Sequence, residues 1–226
     1  MRYFRLHEEH NEKIVGVYPQ STECKIGDIQ QSEIFQKIQN QEDFELPTPK
    51  LRNKAKPTSL LSVVAIPSNF LTVDSALVEF FTKFSTDPNK TWKIKVVHKS
   101  NILELYNLMY IPNSLGEEII DFSKSSFYEG AFANWRYKGG EIEIKSLNQW
   151  KEIKENLKQE RKVIKYNHLT INLSRIETDL IRVSCQYFLN GYIVSERLKT
   201  AMEEAGFTGI IFKDIEEYDN RISVTY

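Results

Sequence analysis

The segment Tyr192–Phe212, reading YIVSERLKTAMEEAGFTGIIF, allows few local structures. An apolar run, Tyr192 to Val194, meets Ser195, whose hydroxyl suits the position just before a helix because it accepts from the free N–H groups of the first turn. Leu198, Ala201, Met202 and Ala205 then recur at three- and four-residue spacing, which places them on one helical face. Gly206 supplies the left-handed residue that ends helices without a Cβ clash. Ile210-Ile-Phe212 resumes as a strand. The pattern predicts strand, capped helix, glycine stop and strand, and none of it is reactive chemistry.

The rest of the chain extends this mixed pattern. Alternation predicts strands at Lys13–Tyr18, Trp92–Val97, Glu141–Lys145, Leu169–Leu173, Leu180–Phe188 and Ile222–Tyr226. In Leu180–Phe188, Ile181, Val183, Cys185 and Tyr187 share one face, while Arg182, Ser184 and Gln186 point away. The apolar run Leu60–Ile66 reads as a buried strand, and Gly139-Gly140 as a tight turn. Helices are predicted at Ser32–Ile38, after Asp74 with the stripe Leu77, Phe80, Phe81 and Phe84, and along Leu147, Trp150, Ile153 and Leu157. Three prolines and four basic residues between Leu46 and Pro57 predict an exposed loop. Strands and helices are interspersed without strict alternation. The expected class is therefore α+β, with mixed, mainly antiparallel sheets and about four packed helices. Residues 1–59 read as an N-terminal extension and 60–226 as the main domain, or the whole chain forms one continuous domain 1–226. One internal echo stands out: Phe70–Leu77 and Gly191–Leu198 both run apolar segment, cap, two residues, leucine.

Bulk properties narrow the function. At 226 residues the chain is long enough for a real core. Thirty Lys+Arg against 31 Asp+Glu argues against a dedicated nucleic-acid binder, which would carry a basic excess. No apolar run approaches membrane-spanning length, and the first ten residues lack the apolar core of a signal peptide, so a cytoplasmic protein without membrane attachment is expected. Cys24 and Cys185 are too few and too far apart for a disulfide framework.

Catalytic constellations are weak. His7 and His10 share a helical spacing, but no third metal ligand is nearby. A hydrolase would recruit Ser195 with His168 and Asp179. The nucleophile elbow needs small neighbours, however, and Ser195 is flanked by Val194 and Glu196. An enzyme acting on a small molecule or nucleic acid would use His98 or His168 with an acid such as Asp121. No phosphate-binding glycine loop occurs, no cofactor is called for, and the mixed charges of Lys151–Lys165 read as the solvated face of a helix. Two segments fit protein recognition better. The passage Phe127–Tyr137 holds Tyr128, Trp135 and Arg136, residue types that dominate interface hot spots, although such rings also fill cores. The segment Glu216, Glu217, Tyr218, Asp219 forms an acidic tip suited to a basic partner, or an ordinary solvated hairpin.

Three segments in order, Phe70–Leu77, Tyr106–Ser125 and Ile193–Phe212, resemble a bacterial immunity-protein family encoded beside polymorphic toxins. In that family a tyrosine-led strand leads to an aspartate and serine, and a serine-capped helix, glycine and apolar strand close the domain. The resemblance spans roughly Leu60 to Ile215. It implies a non-catalytic protein that binds and neutralises a cognate toxin domain by occluding its active site, and it transfers no catalytic or contact residue. A structural or regulatory interaction module is the other non-enzymatic reading.

Overall fold

The computed structural model describes residues 1–25, 46–112, 114–134, 136–185 and 189–226. Fourteen strands, β1 to β14, are found among them, together with five α-helices, three of seven residues or more. The class is α+β with mainly antiparallel sheets. The helix expected at Ser32–Ile38 lies outside the described residues.

Three sheets organise the molecule. The first, in order β11 (Leu180–Cys185), β12 (Leu189–Ser195), β1 (Tyr3–Glu8) and β13 (Ile210–Asp214), is antiparallel throughout. Residues 3–8 thus run between the two strands that flank the serine-capped helix. The second has the order β14 (Ile222–Thr225), β10 (Lys162–Asn172), β8 (Ser126–Ala131) and β9 (Lys138–Ile142), with β14 parallel to β10. The third orders β2 (Ser21–Lys25), β3 (Thr48–Leu51), β6 (Lys90–His98), β7 (Asn101–Tyr110), β5 (Phe70–Asp74) and β4 (Leu60–Leu61), with β3 parallel to β6.

The first sheet is covered on both faces along β11 and most of β12. Ile181, Val183, Cys185 and Ile193 join a core formed by the second sheet and α3 (Leu147–Gln159). Leu180, Tyr192 and Val194, on the opposite face by strand alternation, join a core with β5, α2 (Ser75–Phe81) and α4 (Glu196–Glu204). This double burial corrects the reading of Arg182 as outward-pointing. Arg182 is buried, donates to the carbonyl of Pro112 and lies 5.0 Å from the Tyr110 ring centre. A charged side chain survives there because its hydrogen bond and ring contact replace water.

Several local readings are also overturned. Lys13–Tyr18 is not a strand. Asn11 caps a single turn, α1 (Glu12–Val15), and Gly16 at φ +78° bends the chain where a Cβ would meet the Lys54 carbonyl at 2.0 Å. The proline-rich passage contains β3. Pro49 is tolerated because β3 pairs with β6 only through Lys50 and Leu51, so its missing N–H breaks no ladder bond on that side. Leu60–Ile66 yields only the two-residue β4, and Gly139-Gly140 lies inside β9 rather than in a turn. A Cβ on Gly139 would approach Glu129 and Tyr137 to within about 3 Å. Finally, the charged run beyond Gln159 is strand: α3 stops and β10 begins at Lys162.

The echoed units are both strand-to-helix entries. The Asp74 side chain accepts from Leu77 N at 2.7 Å, and Ser195 Oγ accepts from Leu198 N at 3.1 Å. Leu77 and Phe81 of α2 pack in the same core as Leu198 and Met202 of α4. Asp179, with no exposed surface, links the two units. Its carboxylate accepts from Ser85 N just beyond α2, from Ser195 Oγ, and from the Arg197 guanidinium. Burial pushes the Asp179 carboxyl up, but Arg197, Ser195 and the Ser85 N–H together hold it below its ordinary value.

Asp179→Ala therefore strands a helix cap, a guanidinium and an N–H at once. We expect a loss of about 2–4 kcal/mol in urea unfolding, against about 1–2 kcal/mol for Ser195→Ala. A smaller effect for Asp179→Ala than for Ser195→Ala would contradict the linking role.

Candidate partner-binding surface

Strand β8 alternates across the second sheet. Phe127 points to the core, its ring 5.3 Å from that of Trp150 on α3. Tyr128 points to the opposite face, beside Lys165 on β10 and Glu141 on β9. Lys138 Nζ lies 5.0 Å from the Tyr128 ring centre and donates to Asn167 Oδ1 at 2.7 Å. Phe127 is thus core, while Tyr128 is half-buried on the opposite face.

The loop from β8 to β9 is held at both ends. Phe132 N donates to the Arg161 carbonyl at 3.4 Å, and Tyr137 N to the Asn134 carbonyl at 3.0 Å. Tyr137 Oη donates to Glu129 Oε1 at 2.9 Å, and Lys162 Nζ lies 3.2 Å from the same oxygen. These contacts, the Tyr137 hydroxyl first, hold the Glu129 carboxyl below its usual range. Phe132 is 75% exposed, with Arg136 and Tyr137 exposed beside it. Trp135 lies outside the described residues.

The acidic tip is a helical turn, α5 (Ile215–Tyr218), where a hairpin was the alternative. Glu216 Oε1 accepts from Val224 N at 2.8 Å, which ties it to β14. Asp219 accepts from Tyr166 Oη at 2.7 Å and from Arg221 Nε at 2.9 Å, while the Arg221 guanidinium stacks 4.5 Å from the Tyr166 ring centre. Arg221, its largest partner, holds the Asp219 carboxyl far below the ordinary range. Glu217 faces solvent, and Tyr218 contributes backbone to the turn. The aromatic passage and the acidic segment flank the same strand, because β10 pairs with β8 on one side and with β14 on the other. Of the sequence candidates, Arg136, Glu216 and Glu217 are exposed and Tyr128 and Asp219 half-buried; Glu216 and Asp219 also accept hydrogen bonds within the C-terminal segment.

The histidines are dispersed. His98 ends β6 in the third sheet, and His168 sits on β10 in the second, its Nε2 3.3 Å from Thr170 Oγ1. Asp121 accepts from Ser123 Oγ at 2.6 Å and pairs with Lys124 at 3.3 Å. Among the described residues no hydrogen bond joins it to either histidine. Ser195 Oγ contacts Asp179 directly, with no imidazole between them. His10 packs on Tyr18, ring centres 4.0 Å apart, and no group of three or more His, Cys, Asp or Glu gathers in metal-binding geometry among the described residues.

His7 and Glu8 form an opposed pair. Burial, reinforced by Arg5 and Lys213, lowers His7 to about 4, and burial raises Glu8 to about 7 against a weak bond from Tyr18 Oη at 3.4 Å. The Glu8 contribution to stability is full below its unfolded value of 4.5 and lost as pH rises through 7. The His7 contribution is full above its unfolded value of 6.5 and lost as pH falls through 4. Between these unfolded values the two slopes oppose. Unfolding midpoints measured from pH 6.5 down to 4.5 are expected to fall more steeply in Glu8→Gln than in the parent, and less steeply in His7→Phe. Parallel pH profiles for all three proteins would refute the pairing.

Compared with protein-family models and with curated proteins, the chain gives no match.

Proposed function

We propose that this is a non-catalytic immunity protein that binds a cognate bacterial toxin domain and occludes its active site. The observation that carries a binding role is the β8–β9 loop. It presents Phe132, Arg136 and Tyr137 to solvent on a hairpin whose base is fixed by core packing and backbone bonds. An exposed large aromatic beside arginine and tyrosine has the composition of an interface anchor, and a fixed base lowers the ordering cost of docking. The toxin as partner rests on the family resemblance of Phe70–Leu77, Tyr106–Ser125 and Ile193–Phe212. In this reading Tyr128, Trp135 and Arg136 supply the apolar and cationic contacts, and Glu217 with Tyr218 adds an acidic contact at the C-terminal edge. Steric coverage needs no chemistry from the inhibitor, and complementary charge at the rim speeds encounter. The setting is cytoplasmic, where such a toxin would otherwise act; among the described residues no helix is long and apolar enough to cross a membrane.

Co-expression with the variable C-terminal domain encoded by the adjacent gene tests the proposal. The expected result is restored growth and a co-purifying stoichiometric complex, with affinity reduced about tenfold or more in the double variant Arg136→Ala, Tyr137→Ala. Failure to form a complex or to rescue growth would sink it. A complex without rescue would replace it with a regulatory interaction module.

A further inference from the structure

A cleft of about 450 Å³ opens between α3 and the start of β10, a size typical of small-ligand sites. Trp150, Val163 and Ile164 line its apolar interior, and Phe132 with Ala133 forms one wall. The remaining lining residues, Lys154, Lys158, Arg161 and Lys162, are all cationic.

These cations are not equivalent. Lys154 pairs with Glu117 at 3.4 Å, and Lys162 with Glu129 at 3.2 Å and Glu160 at 2.6 Å. Lys158 reaches Glu155 only at 4.0 Å. Arg161 has no carboxylate partner among the described residues. It also stands at φ +56°, just past the end of α3, where glycine is the residue that fits without strain. Its carbonyl accepts from Phe132 N, so the strained residue and the cleft wall are placed together. A guanidinium with no carboxylate partner among the described residues, in a costly conformation at the mouth of an apolar cleft, is the arrangement expected of a ligand clamp.

We propose that this cleft binds an amphipathic carboxylate, a monoanion with an alkyl or aryl body. The body lies against Trp150 and Ile164, and the headgroup takes the planar fork of Arg161, with Lys158 as second donor. The Arg161 guanidinium, without a carboxylate partner among the described residues, matches one negative charge, and its parallel N–H groups match the two oxygens of a carboxylate. The proposal shares Phe132 with the toxin reading but does not rest on it, and its test uses the chain alone.

Decanoate, decanol, decylammonium and acetate, at submicellar concentration, are titrated by calorimetry into the parent, Arg161→Gly and Ala133→Trp. Glycine suits the left-handed backbone, so Arg161→Gly is expected to unfold at the parent's urea midpoint or above it. The parent should bind decanoate saturably, decanol more weakly, and the cation and acetate not at all. Arg161→Gly should weaken decanoate about tenfold, the scale of one charge-assisted contact, and bring it level with decanol. Ala133→Trp, which fills the cleft, should abolish binding. Absence of decanoate binding to the parent, equal binding of decanoate and decylammonium, or unchanged decanoate affinity in Arg161→Gly would each overturn the proposal.

Discussion

The buried carboxylate of Asp179 joins parts of the chain that sequence keeps far apart. It receives the Ser85 N–H that follows α2 and the hydroxyl that caps α4, while Arg197 neutralises its charge from the solvent side. The Asp179 carbonyl also accepts from Ser195 N, and its N–H donates to the Ser85 carbonyl. One residue thereby sets the start of β11, the end of β12 and the placement of both capped helices. A buried charge is tolerated only when fully paired, and here the pairing is also the joint between two strand-to-helix units.

From that joint follows the central position of the β11-β12-β1-β13 sheet. With α2 and α4 on one face and the second sheet with α3 on the other, β11 and the Tyr192–Val194 part of β12 are covered on both sides, while β13 stays half-buried at the edge. The consequence for function is geometric. Exposed recognition chemistry is pushed outward to the second sheet, where β9 is an edge strand and the β8–β9 loop meets the end of α3. Phe132, Arg136 and the cationic cleft mouth all lie at this periphery, where the Phe132 N–H donates to the Arg161 carbonyl and ties the loop to the cleft.

Local signals were legible where the backbone alone decides. The caps at Asp74 and Ser195 and the apolar stripes of α2, α3 and α4 follow from short-range sterics and hydrogen bonding. The left-handed Gly206 at φ +74° follows from the same rules. Where a neighbour distant in sequence decides, local pattern misled. Pro49 reads as loop chemistry, yet β2 and the short pairing with β6 make it strand. Gly139 reads as a turn, yet the side chains of Glu129 and Tyr137 require a residue without Cβ there. Arg182 reads as solvent-facing until Tyr110 and Pro112 are placed over it.

The same division governs the candidate sites. Composition drew attention to Phe127–Tyr137 and Glu216–Asp219, because aromatic, arginine and acidic residues stand out in any linear reading. That Phe127 is core while Tyr128 lies across the sheet from it follows from the register with β10. That Asp219 accepts from Tyr166 depends on a pairing 53 residues distant. The cleft was hidden inside a run of alternating charges, since only folding removes the carboxylate partners from Arg161 and leaves them on its neighbours. The sequence by itself determined the capped helices and the α+β class with mainly antiparallel sheets, because these depend on interactions within a few residues. Tertiary structure alone decided which charges are paired, which rings are exposed and where a ligand can enter, because burial and long-range pairing are properties of neighbours brought together only by the fold.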